Sequence, residues 1–252
     1  MIQSVSTVAA NEEIMPGTYM VWLRAPEIAR LALPGQFAMV RCGNSFDPFL
    51  RRPLSIHRVD ADGLIALLFK VVGAGTIWLS GLGRGDQVDI LGPLGNGYSL
   101  ISDAKRLLLI GGGIGVAPLL FLSDEAVAQG HSVVLLMGAR TRTLLYPASL
   151  VAPSVTYLKA TEDGSEGLAG KVTDIVSSYA SQADWVCACG PSDMYRCMAV
   201  DPSLRAKPLQ VSLEAVMGCG VGACYSCTVR TGAGLRQVCK DGPVFELSDI
   251  LW

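Results

Sequence analysis

The chain has 252 residues, half of them apolar and only 17% charged, with a formal charge of −2. That length accommodates two domains with separate cores, and that charge supplies no basic field to hold nucleic acid or an anionic membrane. The opening residues lack a basic start and an apolar run, which argues against a secretory signal. The most apolar stretch, residues 107–122, contains four glycines in 16 residues and is too short to cross a bilayer.

Up to about Leu100, short β-type runs alternate with Gly, Pro and Asp punctuation. Residues 19–24, 36–41, 53–59, 64–72 and 87–91 are the predicted strands, with one helix at 76–82. Five or six strands at that spacing imply an antiparallel barrel. From about Lys105 the pattern changes. Apolar strands at 106–111, 132–138, 154–160 and 184–190 alternate with helices, one running to about Gln129 and another over 170–180. That alternation implies a parallel sheet buried on both faces. Three parts follow: a barrel (1–102), an α/β domain (103–208) and a cysteine-bearing segment (209–252).

Eight cysteines without an export signal read as cytosolic thiols kept as ligands rather than as a disulfide scaffold. Four of them, Cys219, Cys224, Cys227 and Cys239, fall within 21 residues, the first three spaced C-x4-C-x2-C. This is the plant-type ferredoxin spacing for a 2Fe-2S cluster on four thiolates. Gly218, Gly220 and Gly222 would let the loop wrap an inorganic core and aim backbone N–H groups at sulfur. Zinc is the alternative, although it more usually pairs two C-x2-C knuckles and only Cys224 and Cys227 form one.

Residues 110–118, IGGGIGVAP, follow a strand and open a helix, a setting in which Gly111, Gly112, Gly113 and Gly115 could admit a phosphate. Val116 stands where the usual dinucleotide fingerprint has its third glycine. No acidic residue ends the second strand, while Arg140 and Arg142 follow it and could pair a 2′-phosphate. Taken alone, that slightly favours NADP, and a ligand-free β–α turn is also open. The fourth strand closes on Cys189, Gly190 and Pro191.

Arg52-Pro-Leu-Ser55, Gly75-Thr76, the glycine turn and Cys189-Gly-Pro together resemble the ferredoxin–NADP reductase superfamily. More narrowly, residues 51–56, 92–98, 161–174, 213–227 and 238–245 resemble the electron-transfer subunit of the NAD-linked, heteromeric (class 1B) dihydroorotate dehydrogenases. The resemblance covers nearly the whole chain in one order. It implies that Arg52, Pro53, Leu54, Ser55, Leu68, Phe69, Lys70, Gly75 and Thr76 contact FAD, with an arginine and a helix start suited to its pyrophosphate. Leu54 stands where the broad superfamily often has an aromatic residue. It further implies that the glycine turn and Cys189-Gly-Pro border NAD, and that NAD rather than NADP is used.

The partner so implied is an FMN-containing subunit that oxidises dihydroorotate, in a heterotetramer with two chains of each kind. Electrons would run from FMN through the cluster and FAD to NAD⁺, in pyrimidine biosynthesis. A flavin is needed because nicotinamide takes a hydride and the cluster one electron at a time. No side chain of this chain need act as acid or base. A hydrogenase- or transhydrogenase-type complex, or a zinc-stapled interaction module, is the alternative. The two histidines, His57 and His131, lie in no triad or ligand pattern and read as structural or solvated, and Trp252 reads as core packing.

Overall fold

The computed structural model describes residues 1–43, 49–99 and 104–252, so the expected boundary between 102 and 103 lies outside the described residues. Strands β1 (Ile2–Met15), β2 (Thr18–Arg24), β3 (Phe37–Val40), β4 (Arg52–Val59), β5 (Leu64–Lys70) and β6 (Gln87–Leu94) close an antiparallel barrel in the order β1-β2-β5-β4-β3-β6. β1 is not among the predicted strands. Its alternation is inverted, with Val5 67% exposed and Ser6 buried, so the pleat carries no apolar-in signature. Two helices accompany the barrel rather than one: α1 (Pro26–Leu31), with proline at its first position, and α2 (Ala74–Ser80).

The second part is built on β7 (Arg106–Gly112), α3 (Ala117–Ala128), β8 (Ser132–Ala139), β9 (Thr156–Thr161), β10 (Leu168–Ala169), α4 (Thr173–Ala180), β11 (Trp185–Cys189) and α5 (Ser192–Val200). β12 (Leu209–Ser212) follows. The hairpin β13 (Thr228–Thr231) and β14 (Gly234–Gln237), the turn of helix α6 (Val238–Asp241) and β15 (Val244–Glu246) complete the chain. The sheet order is β10-β9-β8-β7-β11-β12-β15, parallel except that β15 runs against β12. Two strands of the cysteine segment therefore hydrogen-bond into the α/β sheet. No helix among the described residues is long and apolar enough to cross a membrane.

Each face of the sheet packs against barrel residues. Met15, Met20, Ala66 and Leu68 join the core on one face, and Phe37, Met39 and Leu94 join the other, alongside Cys227 and Cys239. Consecutive residues of β4 tie the seam. His57 is fully buried, with Nδ1 2.8 Å from the Ala117 carbonyl and Nε2 2.9 Å from the Tyr146 hydroxyl. The carbonyl can only accept, so Nδ1 carries the proton and Nε2 accepts from tyrosine. Burial pushes the imidazole down to about 3, in keeping with that neutral tautomer. Arg58 donates to the Leu150 carbonyl at 2.6 Å, and its Nε lies 2.9 Å from Asp124 Oδ2. The barrel is thereby held at a fixed angle to the glycine turn, which immediately precedes Ala117.

Candidate functional site

Two cavities open along this seam. The first, about 370 Å³, lies between β4, β5 and the Ser212–Met217 segment. Arg52, Pro53, Leu54, Ser55, Leu68, Phe69, Lys70 and Thr76 all line it, as does Cys189. Gly75 is the one residue of the expected flavin set that does not. A Cβ there would come 3.0 Å from Arg52 Nε, so its place is beneath the guanidinium. The neighbouring arginine has a different use, since Arg51 is bound to Asp89 at 2.7 Å and to its carbonyl at 3.0 Å. None of the ion pairs among the described residues takes Arg52, which leaves a cation beside an apolar-walled space. The Thr76 hydroxyl is occupied by its own turn, accepting from the Val72 and Gly73 N–H groups at 2.9 and 3.2 Å.

The second cavity, about 360 Å³, lies at the C-terminal ends of the parallel strands. Gly112, Gly113 and Pro191 line it, and it shares Lys70 and Ile114 with the first. Gly113 has φ +57 and open space where a Cβ would stand, so its backbone faces the cavity bare. The other glycines serve packing. A Cβ on Gly115 would stand 2.1 Å from the Cys189 carbonyl oxygen, one on Gly190 would meet the Met194 side chain at 2.7 Å, and Gly111 lies against Met137 and Leu119. Tyr195 steadies this corner, accepting from the Gly190 N–H at 2.9 Å and donating to the Ser212 carbonyl at 2.6 Å. Burial pushes the Cys189 thiol up to about 12, which keeps it protonated. Trp252 leans on Tyr195 with ring centroids 5.6 Å apart, but it is 45% exposed. Core packing is thus not its place, because the last two residues leave the sheet and lie on the surface.

Sequence reasoning missed Glu162, which enters the second cavity from just after β9, and found only one of its two arginines there, since Arg140 lines the cavity and Arg142 does not. The missing signal was an acid sought at the end of the second strand and supplied after the third.

The cluster loop is wrapped by backbone donors. Val221 and Ala223 N–H groups point at Cys219 Sγ at 3.4 and 3.2 Å, Gly222 N–H at Cys239 Sγ at 3.1 Å, and Cys239 N–H at Cys227 Sγ at 3.4 Å. Gly220 and Gly222 take φ of +74 and +84, whereas Gly218 is not at positive φ, and Tyr225 is the one non-glycine residue among the described residues in the left-handed region, at φ +60. Ser226 hydrogen-bonds the Cys224 thiol and pulls it down to about 6, with Cys219 also in contact. Burial and contact with Cys227 push Cys239 up to about 12. The four thiols thus lie in one loop and act on one another, Cys219 on Cys224 and both Cys227 and Cys219 on Cys239. Backbone N–H groups aimed at three of the four sulfurs suit thiolates that carry charge in a metal cluster.

The loop sits on the barrel. A Cβ on Gly220 would meet Met39 Cγ at 2.4 Å, and the Asn96 side chain donates to the Lys240 and Asp241 carbonyls at 3.2 and 3.0 Å. Met217 lines the first cavity, and Cys219 follows two residues later, within about 7 Å of extended chain.

Comparison with known proteins bears on the same segment and then on the whole. The family described as the iron-sulfur cluster binding domain of dihydroorotate dehydrogenase B matches residues 214–251. The dihydroorotate dehydrogenase B (NAD(+)) electron transfer subunit of Geobacillus thermodenitrificans is 39% identical over 252 residues, covering 97% of each chain. That of Desulforamulus reducens is 40% identical with the same coverage. The chain belongs to this family. Among solved structures, the NADH-dependent reduced ferredoxin-NADP oxidoreductase, described for flavin-based electron bifurcation, overlays with a TM-score of 0.89 at 30% identity. The overlay covers 99% of this chain and 90% of that one. The chain thus shares its architecture with an NADH-dependent oxidoreductase described for flavin-based electron bifurcation.

Proposed function

We propose that this chain carries electrons from a dihydroorotate-oxidising partner subunit, through a 2Fe-2S cluster on Cys219, Cys224, Cys227 and Cys239 and an FAD in the barrel cavity, to NAD⁺. The observation that supports this most is the adjacency of the two cavities, which share Lys70 and Ile114, with the cluster loop two residues beyond the first. Bound flavin supplies chemistry that the side chains lack, exchanging electrons singly with the cluster and in pairs with nicotinamide. Arg52 binds the flavin pyrophosphate, with Gly75 leaving room for the guanidinium. Leu54, Leu68 and Phe37 wall the ring and exclude water. Gly112 and Gly113 admit the dinucleotide pyrophosphate, while Gly111, Gly115 and Gly190 hold the turn against β11. Cys189 and Pro191 then border the nicotinamide at the junction. The N–H groups on Cys219, Cys227 and Cys239 stabilise thiolate charge and set the cluster's potential.

The partner is an FMN subunit, two copies of each chain assemble, and the complex works in the cytoplasm. Full-length relatives at 39–40% identity favour this partner over that of the bifurcating neighbour at 30%. Purification with the dihydroorotate-oxidising subunit tests the reading. Iron and acid-labile sulfide at about two each and FAD at about one per chain are expected, with dihydroorotate-dependent NADH formation. Stoichiometric zinc without iron, or no such turnover, contradicts it.

A further inference from the structure

The dinucleotide cavity has a polarity that its lining reveals. Its β11 end, at Pro191, adjoins the flavin cavity through Cys189, so the nicotinamide belongs there. The sheet order β9-β8-β7-β11 then puts the adenosine at the far side, beyond the glycine turn, over the ends of β8 and β9. Arg140, Glu162 and Lys171 line that far side. Glu162 is fixed there by its own backbone, whose N–H donates to the Ala139 carbonyl at 3.1 Å, next to Arg140.

Its acidic neighbours are engaged elsewhere. Asp163 accepts from the Ser165 N–H and hydroxyl, and Glu166 pairs with Lys159. At the opposite end Asp193 lies 3.7 Å from Arg196. None of the ion pairs among the described residues takes Glu162.

We infer that the Glu162 carboxylate is the specificity-determining group of the dinucleotide site, accepting hydrogen bonds from the adenosine ribose diol and repelling a 2′-phosphate. This deepens the proposed function and rests on its placing of NAD in this cavity. A carboxylate in water-facing surroundings offers two acceptor oxygens to a diol and meets a phosphate dianion with like charge. It also offsets Arg140. With Arg142 outside the cavity, a 2′-phosphate meets Arg140 and Lys171 with the Glu162 carboxylate set among them, rather than two arginines.

The test uses the FAD- and cluster-loaded complex and two readouts. Calorimetry compares ADP-ribose with its 2′-phosphorylated form, which reports binding without electron transfer. Steady-state ferricyanide reduction compares NADH with NADPH. The wild type is expected to favour the unphosphorylated ligand in both. Glu162→Gln, isosteric and exposed, should shift the preference on the order of 100-fold toward the phosphate form, mostly through KM and Kd with kcat little changed. Glu162→Asp should retain the wild-type preference. An unchanged ratio in Glu162→Gln, in a wild-type background that oxidises NADH, overturns this inference alone. A wild type that binds neither ligand and oxidises no NADH overturns it together with the function it rests on.

Discussion

The cluster loop draws its four thiols from 21 consecutive residues, whereas the nucleotide cavity collects its lining from Met15 on the barrel to Cys197 on α5. The loop is shaped by backbone N–H groups turned toward sulfur, and its glycines at positive φ permit that turning. The cavity is shaped by segments pressed together until only glycine fits, as at Gly115 against Cys189. One region is held by local conformation, the other by contact between distant parts. The two should therefore fail differently when a methyl group is added.

Gly115→Ala drives a Cβ into the Cys189–Gly190 peptide, whose backbone atoms cannot yield as a flexible side chain would. A loss of about 3 kcal/mol and a fall of roughly 6–12 °C in Tm are expected by thermal denaturation, with nucleotide binding lost too. His57→Gln strikes the seam and should cost about 2 kcal/mol at pH 7 through the disturbed pair of hydrogen bonds. It carries a second signature. The folded imidazole titrates near 3 against 6.5 unfolded, so below pH 6.5 the unfolded chain takes up a proton that the fold refuses. Stability present above pH 6.5 is lost as pH falls toward 3, by about 1.4 kcal/mol per pH unit. Denaturant titrations across that window should show the slope smaller by that amount in the glutamine variant.

Gly222→Ala, in the cluster loop, should do less. Its φ of +84 costs a side chain about 1 kcal/mol, and the nearest obstacle is the Lys240 side chain at 2.8 Å, which can swing away. Iron content close to wild type is expected. Arg142→Ala should do least, leaving kcat/KM for NADH and NADPH within about twofold, because its side chain is outside the cavity.

The same contrast decides what the sequence made legible. The cysteines proposed as ligands stand in one window, and the residues proposed for the flavin lie on β4, β5 and the start of α2, each a short run, so both proposals could be framed along the chain. Glu162 could not, because nothing in the sequence says that the end of β9 closes over the end of β8. His57 reads as structural, yet its partners at 117 and 146 appear only when β4 meets the start of α3 and the segment after β8. β1 was hidden by a buried Ser6 and an exposed Val5, and β12 by its short run beyond a proline. Local chemistry announces itself, and cavities assembled across domains depend on packing that a linear reading does not contain.

On the proposed route, electrons from the partner reach the flavin of this chain only through the cluster. Anaerobic mixing of the Cys224→Ser complex with dihydroorotate, followed by flavin absorbance in rapid-mixing experiments, tests it most directly. The FAD of this chain should stay oxidised under dihydroorotate and bleach promptly when NADH is added, while the wild-type complex bleaches with either. Reduction of FAD by dihydroorotate at the wild-type rate in a cluster-free variant would mean that electrons bypass the cluster.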